Sequence, residues 1–200
     1  MTGMKAIRYA AWGAVVLVAI AVGLTVYWRQ TETLPGVITA SIGGPFTLTD
    51  QTGATVTEAS LKGHPSAMFF GYTFCPDVCP TTLYEATTWL EELGPDADTL
   101  KVYFITVDPE RDTSKAMAEY LSAFDPRITG LTGTRPEIDK MLKAYRVYSR
   151  KVARDDGPYL MDHSASVYLL DKNGTFTGVV DYQEKHETAM AKLKKLVKGS

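Results

Sequence analysis

The segment that most constrains the fold is an apolar run at residues 67–72 that leads directly into a pair of cysteines. The run has the length of a β-strand that is covered on both faces. Cys75 and Cys79 follow within the sequence FCPDVCP at residues 74–80, and they are the only cysteines of the chain. Apolar residues at helical spacing then continue through residues 81–93. Two thiols at such a strand-to-helix turn can cycle between dithiol and disulfide, hold a soft metal ion, or do both.

Strand-like and helix-like segments alternate along the rest of the domain. Pro80 is predicted as the first helical residue after the cysteines, because its missing N–H group costs nothing there. Further segments are a hairpin at 45–56, strands at 102–107, 166–170 and 175–180, helices that start at Ser114 and Pro136, and a last helix that ends near Lys198. This order predicts an α/β fold with a central mixed sheet and helices on both faces. A cysteine pair beyond the first central strand indicates its thioredoxin-like version, with the site at the carboxyl ends of the strands.

The N-terminal part of the chain differs in composition from this domain. Residues 9–28 contain no charged side chain, and a helix of about 20 residues spans the roughly 30 Å hydrocarbon core of a bilayer. Lys5 and Arg8 precede the run, so the positive-inside rule predicts an exported domain. A cleaved signal peptide is the alternative, and in both cases the domain lies where disulfides are permitted. We therefore expect a cytoplasmic N-terminus at 1–8, a transmembrane anchor at 9–28, a linker at 29–43 and a globular domain at 44–198.

The overall charge argues against one class of partner. The formal net charge is −2, so the chain has no basic excess of the kind that nucleic-acid-binding proteins carry. The fraction of hydrophobic residues, 45%, is that of an ordinary globular protein. We therefore expect no nucleic acid partner.

His163 is the candidate for a third residue at the cysteine site. It lies in the sequence DHS at 162–164, just before the strand predicted at 166–170. In a thioredoxin-like sheet the loop that enters this strand faces the cysteine loop, and thioredoxins place a cis-proline there. This chain has no proline immediately before the strand, so a histidine takes the place beside the thiols. A hydrogen-bonded structural histidine is the alternative interpretation.

Two thiolates and one imidazole form a ligand set that suits copper. The thiolate pair favours Cu(I), and the imidazole helps to hold Cu(II). Structural zinc sites usually have four protein ligands, one more than this set provides. A redox-active dithiol without a metal, a zinc site and a structural disulfide remain as alternatives at this point.

Three separated motifs resemble the Sco/SenC family of copper chaperones. They are FGYTFCPDVCP at 70–80, VDPERDT at 107–113 and DHS at 162–164. The resemblance covers the whole domain and implies copper, as Cu(I) or Cu(II), bound by Cys75, Cys79 and His163. It implies a binding protein rather than an enzyme, which serves the binuclear copper site of cytochrome c oxidase subunit II. It also implies a single-pass inner-membrane protein whose domain faces the periplasm, with other periplasmic copper carriers as further partners.

The same residues fit a second function. A thiol-disulfide oxidoreductase that keeps the copper-ligand cysteines of the recipient reduced would use Cys75 and Cys79 as its redox-active pair. The two functions differ at His163, because a reductase needs no imidazole there. A peroxiredoxin-like peroxidase is a third possibility, with Arg111 as its only obvious arginine. The motif at 107–113 is either a polar strand end with a capped helix start or a docking surface for a partner.

Overall fold

The computed structural model describes residues 3–31, 42–155 and 157–199, and the contacts divide the chain into the units Met1–Ser41 and Ile42–Ser200. The first unit contains helix α1 (Gly3–Thr31). Among the residues that are described, no helix combines the length and the apolar character that a membrane crossing requires. The anchor predicted from the sequence therefore remains a prediction. Most of the predicted linker, residues 32–41, lies outside the described residues.

A seven-stranded mixed sheet forms the centre of the second unit. In spatial order its strands are β2 (Thr55–Thr57), β1 (Thr47–Asp50), β5 (Ile128–Thr132), β4 (Lys101–Thr106), β3 (Ser66–Gly71), β8 (Val167–Leu170) and β9 (Phe176–Val180). The three central strands β5, β4 and β3 are parallel to one another. Strand β1 pairs with β5, and strand β8 with β3, in the antiparallel sense. A separate two-stranded sheet contains β6 (Ser149–Val152) and β7 (Leu160–His163).

Four helices accompany the sheet, and each presents a buried apolar face. They are α2 (Val78–Leu93), α3 (Ser114–Leu121), α4 (Arg135–Tyr145) and α5 (His186–Lys198). All six residues of β3 are buried, so this strand is covered on both of its faces. The mixed sheet with its helices confirms the thioredoxin-like α/β fold that the sequence predicts.

Helix α2 begins earlier than the sequence predicts. Its first residue is Val78, so that Cys79 is the second helical residue and Pro80 only the third. A proline is tolerated there because the N–H groups of a first helical turn have no intrahelical acceptor. The prediction that Pro80 opens the helix is therefore wrong, and the consequence is that Cys79 belongs to the helix rather than to the loop.

The sequence prediction also misses β5 and the small β6–β7 sheet. Strand β5 contains Gly130, and glycine weakens a strand pattern. The structure explains this glycine, because an added Cβ would lie 2.6 Å from Leu121 Cδ1 and 3.0 Å from Met117 Cε. The sequence predicts a loop position for His163, whereas it is the last residue of β7.

Candidate metal centre

Cys75 and Cys79 lie beyond the carboxyl end of β3, on two different kinds of backbone. Cys75 belongs to the loop and is half-buried, whereas Cys79 lies in the first turn of α2 and is fully buried. The backbone N–H group of Cys79 donates to Cys75 Sγ at 3.4 Å. An N–H group of a first helical turn favours negative charge, so this contact stabilises a thiolate at Cys75.

The pKa values of the two thiols shift in opposite directions. Hydrogen bonding from the Cys79 thiol lowers the pKa of Cys75 far below its ordinary value, whereas burial acts against this shift. The hydrogen bond to Cys75 raises the pKa of Cys79, and burial raises it further. Cys75 is therefore the cysteine of the metal-free pair that loses its proton first, and Cys79 is the one that keeps it.

The His163 imidazole approaches the thiols from β7. Its Nε2 atom lies 3.6 Å from Cys79 Sγ. Its Nδ1 atom lies 2.8 Å from the carbonyl oxygen of Ser164, and this contact makes Nδ1 the protonated nitrogen. The Nε2 lone pair is therefore available on the side of the sulfurs, the arrangement in which histidine ligates a metal. The rings of Tyr72 and Phe69 flank the imidazole, with centroids 5.7 Å and 6.2 Å away.

The geometry of these three side chains fits a single metal ion. The two Sγ atoms and a ring nitrogen of His163 all lie within 4.8 Å of one another. With bonds as long as those of zinc, about 2.3 Å to sulfur and about 2.0 Å to nitrogen, the donors of a three-ligand site would lie about 3.7 to 4.0 Å apart. Across residues 3–31, 42–155 and 157–199, this is the one such group of three Cys, His or acidic side chains.

The other two histidines are elsewhere. His186 starts α5, where its Nε2 atom lies 2.6 Å from Glu92 Oε2 on the protein surface. His64 precedes β3, and its carbonyl oxygen accepts a 3.5 Å hydrogen bond from Ser66 Oγ. The structure thus brings together the three predicted residues and leaves His64 and His186 outside the cluster.

Gly71, the last residue of β3, provides the space for the buried sulfur. A Cβ atom at this position would lie 2.7 Å from Cys79 Sγ and 2.7 Å from Phe104 Cε2, which is closer than van der Waals contact allows. The sulfur therefore occupies volume that a side chain at residue 71 would otherwise fill. Gly71 belongs to the motif at 70–80, but the sequence does not reveal that this glycine makes room for the sulfur.

Asp112 fixes the start of the cysteine loop. Its carboxylate accepts hydrogen bonds from Thr73 Oγ1 at 2.6 Å, from the Thr73 N–H group at 3.1 Å and from Thr106 Oγ1 at 2.7 Å. The carbonyl oxygen of Asp112 accepts a further bond from Thr132 Oγ1 at 2.5 Å. Burial raises the pKa of this fully buried carboxyl group, although the threonine hydrogen bonds act in the opposite direction. Within the motif at 107–113, Asp112 therefore has a structural role.

Comparisons with known proteins agree with this site. The family model described as SCO1/SenC matches residues 37–198. The chain belongs to the SCO1/SenC family. Mitochondrial protein SCO2 of Saccharomyces cerevisiae is 40% identical over 164 residues, which cover 80% of this chain and 54% of that protein. Protein SenC of Rhodobacter capsulatus is 38% identical over 183 residues, which cover 87% of this chain and 80% of SenC.

A solved structure connects the family to copper. Bradyrhizobium japonicum ScoI with copper bound is 52% identical, with a TM-score of 0.73 over 78% of this chain and 99% of that chain. The family predicted from the three motifs is thereby confirmed. The chain spans only about half of the yeast mitochondrial relative, so the activity and partners of such longer proteins come to this chain only as proposals.

Proposed function

We propose that this protein is a copper metallochaperone that binds one copper ion through Cys75, Cys79 and His163. The observation that carries the proposal is the approach of two Sγ atoms and a ring nitrogen to within 4.8 Å of one another. Two thiolates suit Cu(I), and the imidazole helps to hold Cu(II). The protein acts as a carrier without turnover, so we do not assign it an enzymatic activity.

The proposed recipient is the copper-site domain of cytochrome c oxidase subunit II, where the copper serves assembly of the binuclear site. Support comes from the family membership and from the three motifs of the sequence. Other periplasmic copper carriers are proposed as exchange partners. The half-buried Cys75 is the side from which copper enters and leaves, because Cys79 is fully enclosed.

Copper uptake should release a proton from the site. A thiol must lose its proton to become a metal ligand. Cys75 is already a thiolate in the metal-free pair, whereas the pKa of Cys79 is raised by its hydrogen bond to Cys75 and by burial. The proton of Cys79 is thus the one that the metal displaces.

Copper titration of the reduced unit Ile42–Ser200 tests the proposed function. We expect one copper per chain, and for Cu(II) an intense thiolate charge-transfer absorption band. The variants Cys75→Ser and Cys79→Ser should each lose the band, because a hydroxyl group is a poor donor to copper. Met161→Leu, which changes a buried thioether within β7, the strand that carries His163, is the matched control and should keep the band. A band that persists in Cys79→Ser would contradict the two-thiolate site.

The thiol-disulfide oxidoreductase remains a second candidate because the two cysteines are chemically unequal. Cys75 is the accessible thiolate that would attack a disulfide, and Cys79 is the buried thiol that would resolve the mixed disulfide. Its targets would be the copper-ligand cysteines of the recipient. The role of His163 separates this candidate from the chaperone.

We also propose that residues 9–28 anchor the protein in the inner membrane and that the domain faces the periplasm. The support is the uncharged run behind Lys5 and Arg8 in the sequence. A reporter enzyme fused after Ser200 should be active only when it folds in the periplasm. The same fusion without residues 1–28 is the control and should stay in the cytoplasm. A full-length fusion that is as inactive as this control, or a mature protein that begins near Val22, would contradict the proposed topology.

A further inference from the structure

Arg111, Asp108 and Tyr159 form a network of three mutual hydrogen bonds. Its Nε atom donates to Asp108 Oδ2 at 2.5 Å, and its Nη1 atom donates to the carbonyl oxygen of Tyr159 at 3.0 Å. The hydroxyl group of Tyr159 donates in turn to Asp108 Oδ1 at 3.0 Å. The Asp108 side chain is 1% exposed and that of Arg111 is 16% exposed, so water competes little with these bonds. Arg111 therefore ties the end of β4 to the residue that precedes β7.

The same guanidinium group contacts three aromatic rings, two of them in the cysteine loop and one directly before β7. Its carbon lies 3.7 Å from the ring centroid of Tyr159, 4.7 Å from that of Phe74 and 5.7 Å from that of Tyr72. Phe74 directly precedes Cys75, and the Tyr72 ring contacts the His163 ring. The remaining nitrogen, Nη2, is buried and has no hydrogen-bond acceptor among the residues that the structure describes. The guanidinium group therefore interacts with its surroundings near Nη2 through cation–π contacts with the aromatic rings.

The hairpin that carries His163 depends on such side-chain contacts. Strands β6 and β7 pair with each other in a sheet that is separate from the seven-stranded sheet. Tyr159 lies next to the first residue of β7, and His163 is the last residue of that strand. Lys151 on β6 adds a contact of its own, since its Nζ atom lies 4.0 Å from the Tyr159 ring centroid and 2.7 Å from Glu110 Oε2.

We propose that Arg111 is a positioning residue that holds the His163 hairpin against the cysteine loop and so sets the distance between the imidazole and the two sulfurs. The expected effects of Arg111 on copper affinity rest on the copper-binding function proposed above. Glutamine cannot replace the guanidinium, because it has no charge to pair with Asp108 and no planar cation to lie over the rings. Lysine keeps the charge but loses the two bonds in fixed directions.

The first test uses the metal-free protein. In Arg111→Gln we expect the backbone N–H groups of β6 and β7 to exchange with deuterium at least about tenfold faster, while those of β3 and β4 keep the wild-type rate. Arg127→Gln is the matched control, because Arg127 also pairs with an aspartate, Asp125, but outside this cluster. Faster exchange throughout β3 and β4 in Arg111→Gln would show a general stabilising role and would overturn the proposal.

The second test compares the two copper oxidation states. Cu(II) affinity should fall about ten- to hundredfold in Arg111→Gln, as expected when the support of a metal ligand is removed, whereas Cu(I) affinity should fall less than about threefold. Arg111→Lys should lie between this variant and the wild type. Phe74→Leu alters an exposed ring and should fold, and it should weaken Cu(II) binding about two- to fivefold. If Arg111→Gln does not fold, Arg111→Lys and Phe74→Leu decide, and wild-type Cu(II) affinity in both would overturn the proposal.

The outcomes separate the inference from the proposed function. If the wild-type protein binds no copper, the chaperone function is wrong, while the exchange experiment still tests the role of Arg111. If the wild type binds copper and Arg111→Gln matches it in Cu(II) affinity and in hairpin exchange, the positioning role is wrong and the chaperone function stands.

Discussion

Replacing His163 with alanine is expected to lower Cu(II) affinity by more than about a hundredfold while the reversible oxidation of Cys75 and Cys79 stays close to wild type. Loss of a direct ligand should exceed the ten- to hundredfold cost that is typical of a residue supporting a ligand. The Nε2 atom is the nitrogen donor of the cluster, whereas the Cys79 N–H bond to Cys75 Sγ comes from the backbone and remains. Cu(I) affinity should fall less, because both thiolates persist.

Parallel Cu(II) and Cu(I) competition titrations, with a redox titration of the thiols, measure this prediction. His186→Ala is the matched control, since His186 pairs with Glu92 on the surface. In cells, His163→Ala should prevent oxidase assembly if copper delivery is the task. Normal assembly with His163→Ala, together with failure in Cys75→Ser, would support the thiol-reductase function and contradict the chaperone function.

Replacing Asp112 with alanine is expected to lower the free energy of unfolding by about 3–5 kcal/mol. The change leaves one buried donor on Thr106 and two half-buried donors on Thr73 without their acceptor, and polar groups that are shielded from water and unpaired are costly. Urea denaturation measures the effect. Asp139→Ala is the control, because Asp139 is exposed and pairs with Arg135 at the surface, where an ion pair contributes less than about 1 kcal/mol. Equal effects of the two changes would contradict the structural role of Asp112.

The pH dependence of the Asp112→Asn variant offers a second check on this residue. Burial raises the folded-state pKa of Asp112 above its ordinary value of 3.8. The folded state therefore holds this proton more tightly than the unfolded state does, and the associated stability is present at low pH and lost as the pH rises through the folded-state pKa. Asparagine does not titrate, so the stability of the variant relative to wild type should improve as the pH rises from about 4 towards neutrality.

The features that could be predicted from the sequence are those formed by residues close together in the chain. The apolar run of β3, the cysteine spacing and the face of α2 are each carried by consecutive residues. The start of α2 is predicted too late because a proline is usually found at the first helical position, whereas Pro80 is the third residue of this helix. The sequence does not predict β5 because Gly130 weakens its strand pattern. The reason for this glycine, the close packing of Leu121 and Met117 from α3, is visible only in the structure.

The supporting residues of the site could not be predicted for a different reason. The bond from Arg111 to Tyr159 joins residues 48 positions apart, and that from Thr73 to Asp112 joins residues 39 apart. Such contacts depend on the register of the sheet and the path of the hairpin. Asp108, Arg111 and Asp112 form one sequence motif, but the structure gives them different tasks. Asp112 holds the cysteine loop, and Asp108 and Arg111 hold the histidine hairpin.

The division of the three donors between two separate sheets has a kinetic consequence. Both sulfurs follow the central seven-stranded sheet, whereas the imidazole belongs to a two-stranded sheet that can shift without breaking central strand pairs. During transfer to a recipient, we therefore expect the bond to His163 to break first. The incoming sulfur would then attack a copper ion that is held by two thiolates and open on one side. The order of ligand exchange would thus be set by where each donor is attached, rather than by the strength of its bond to copper.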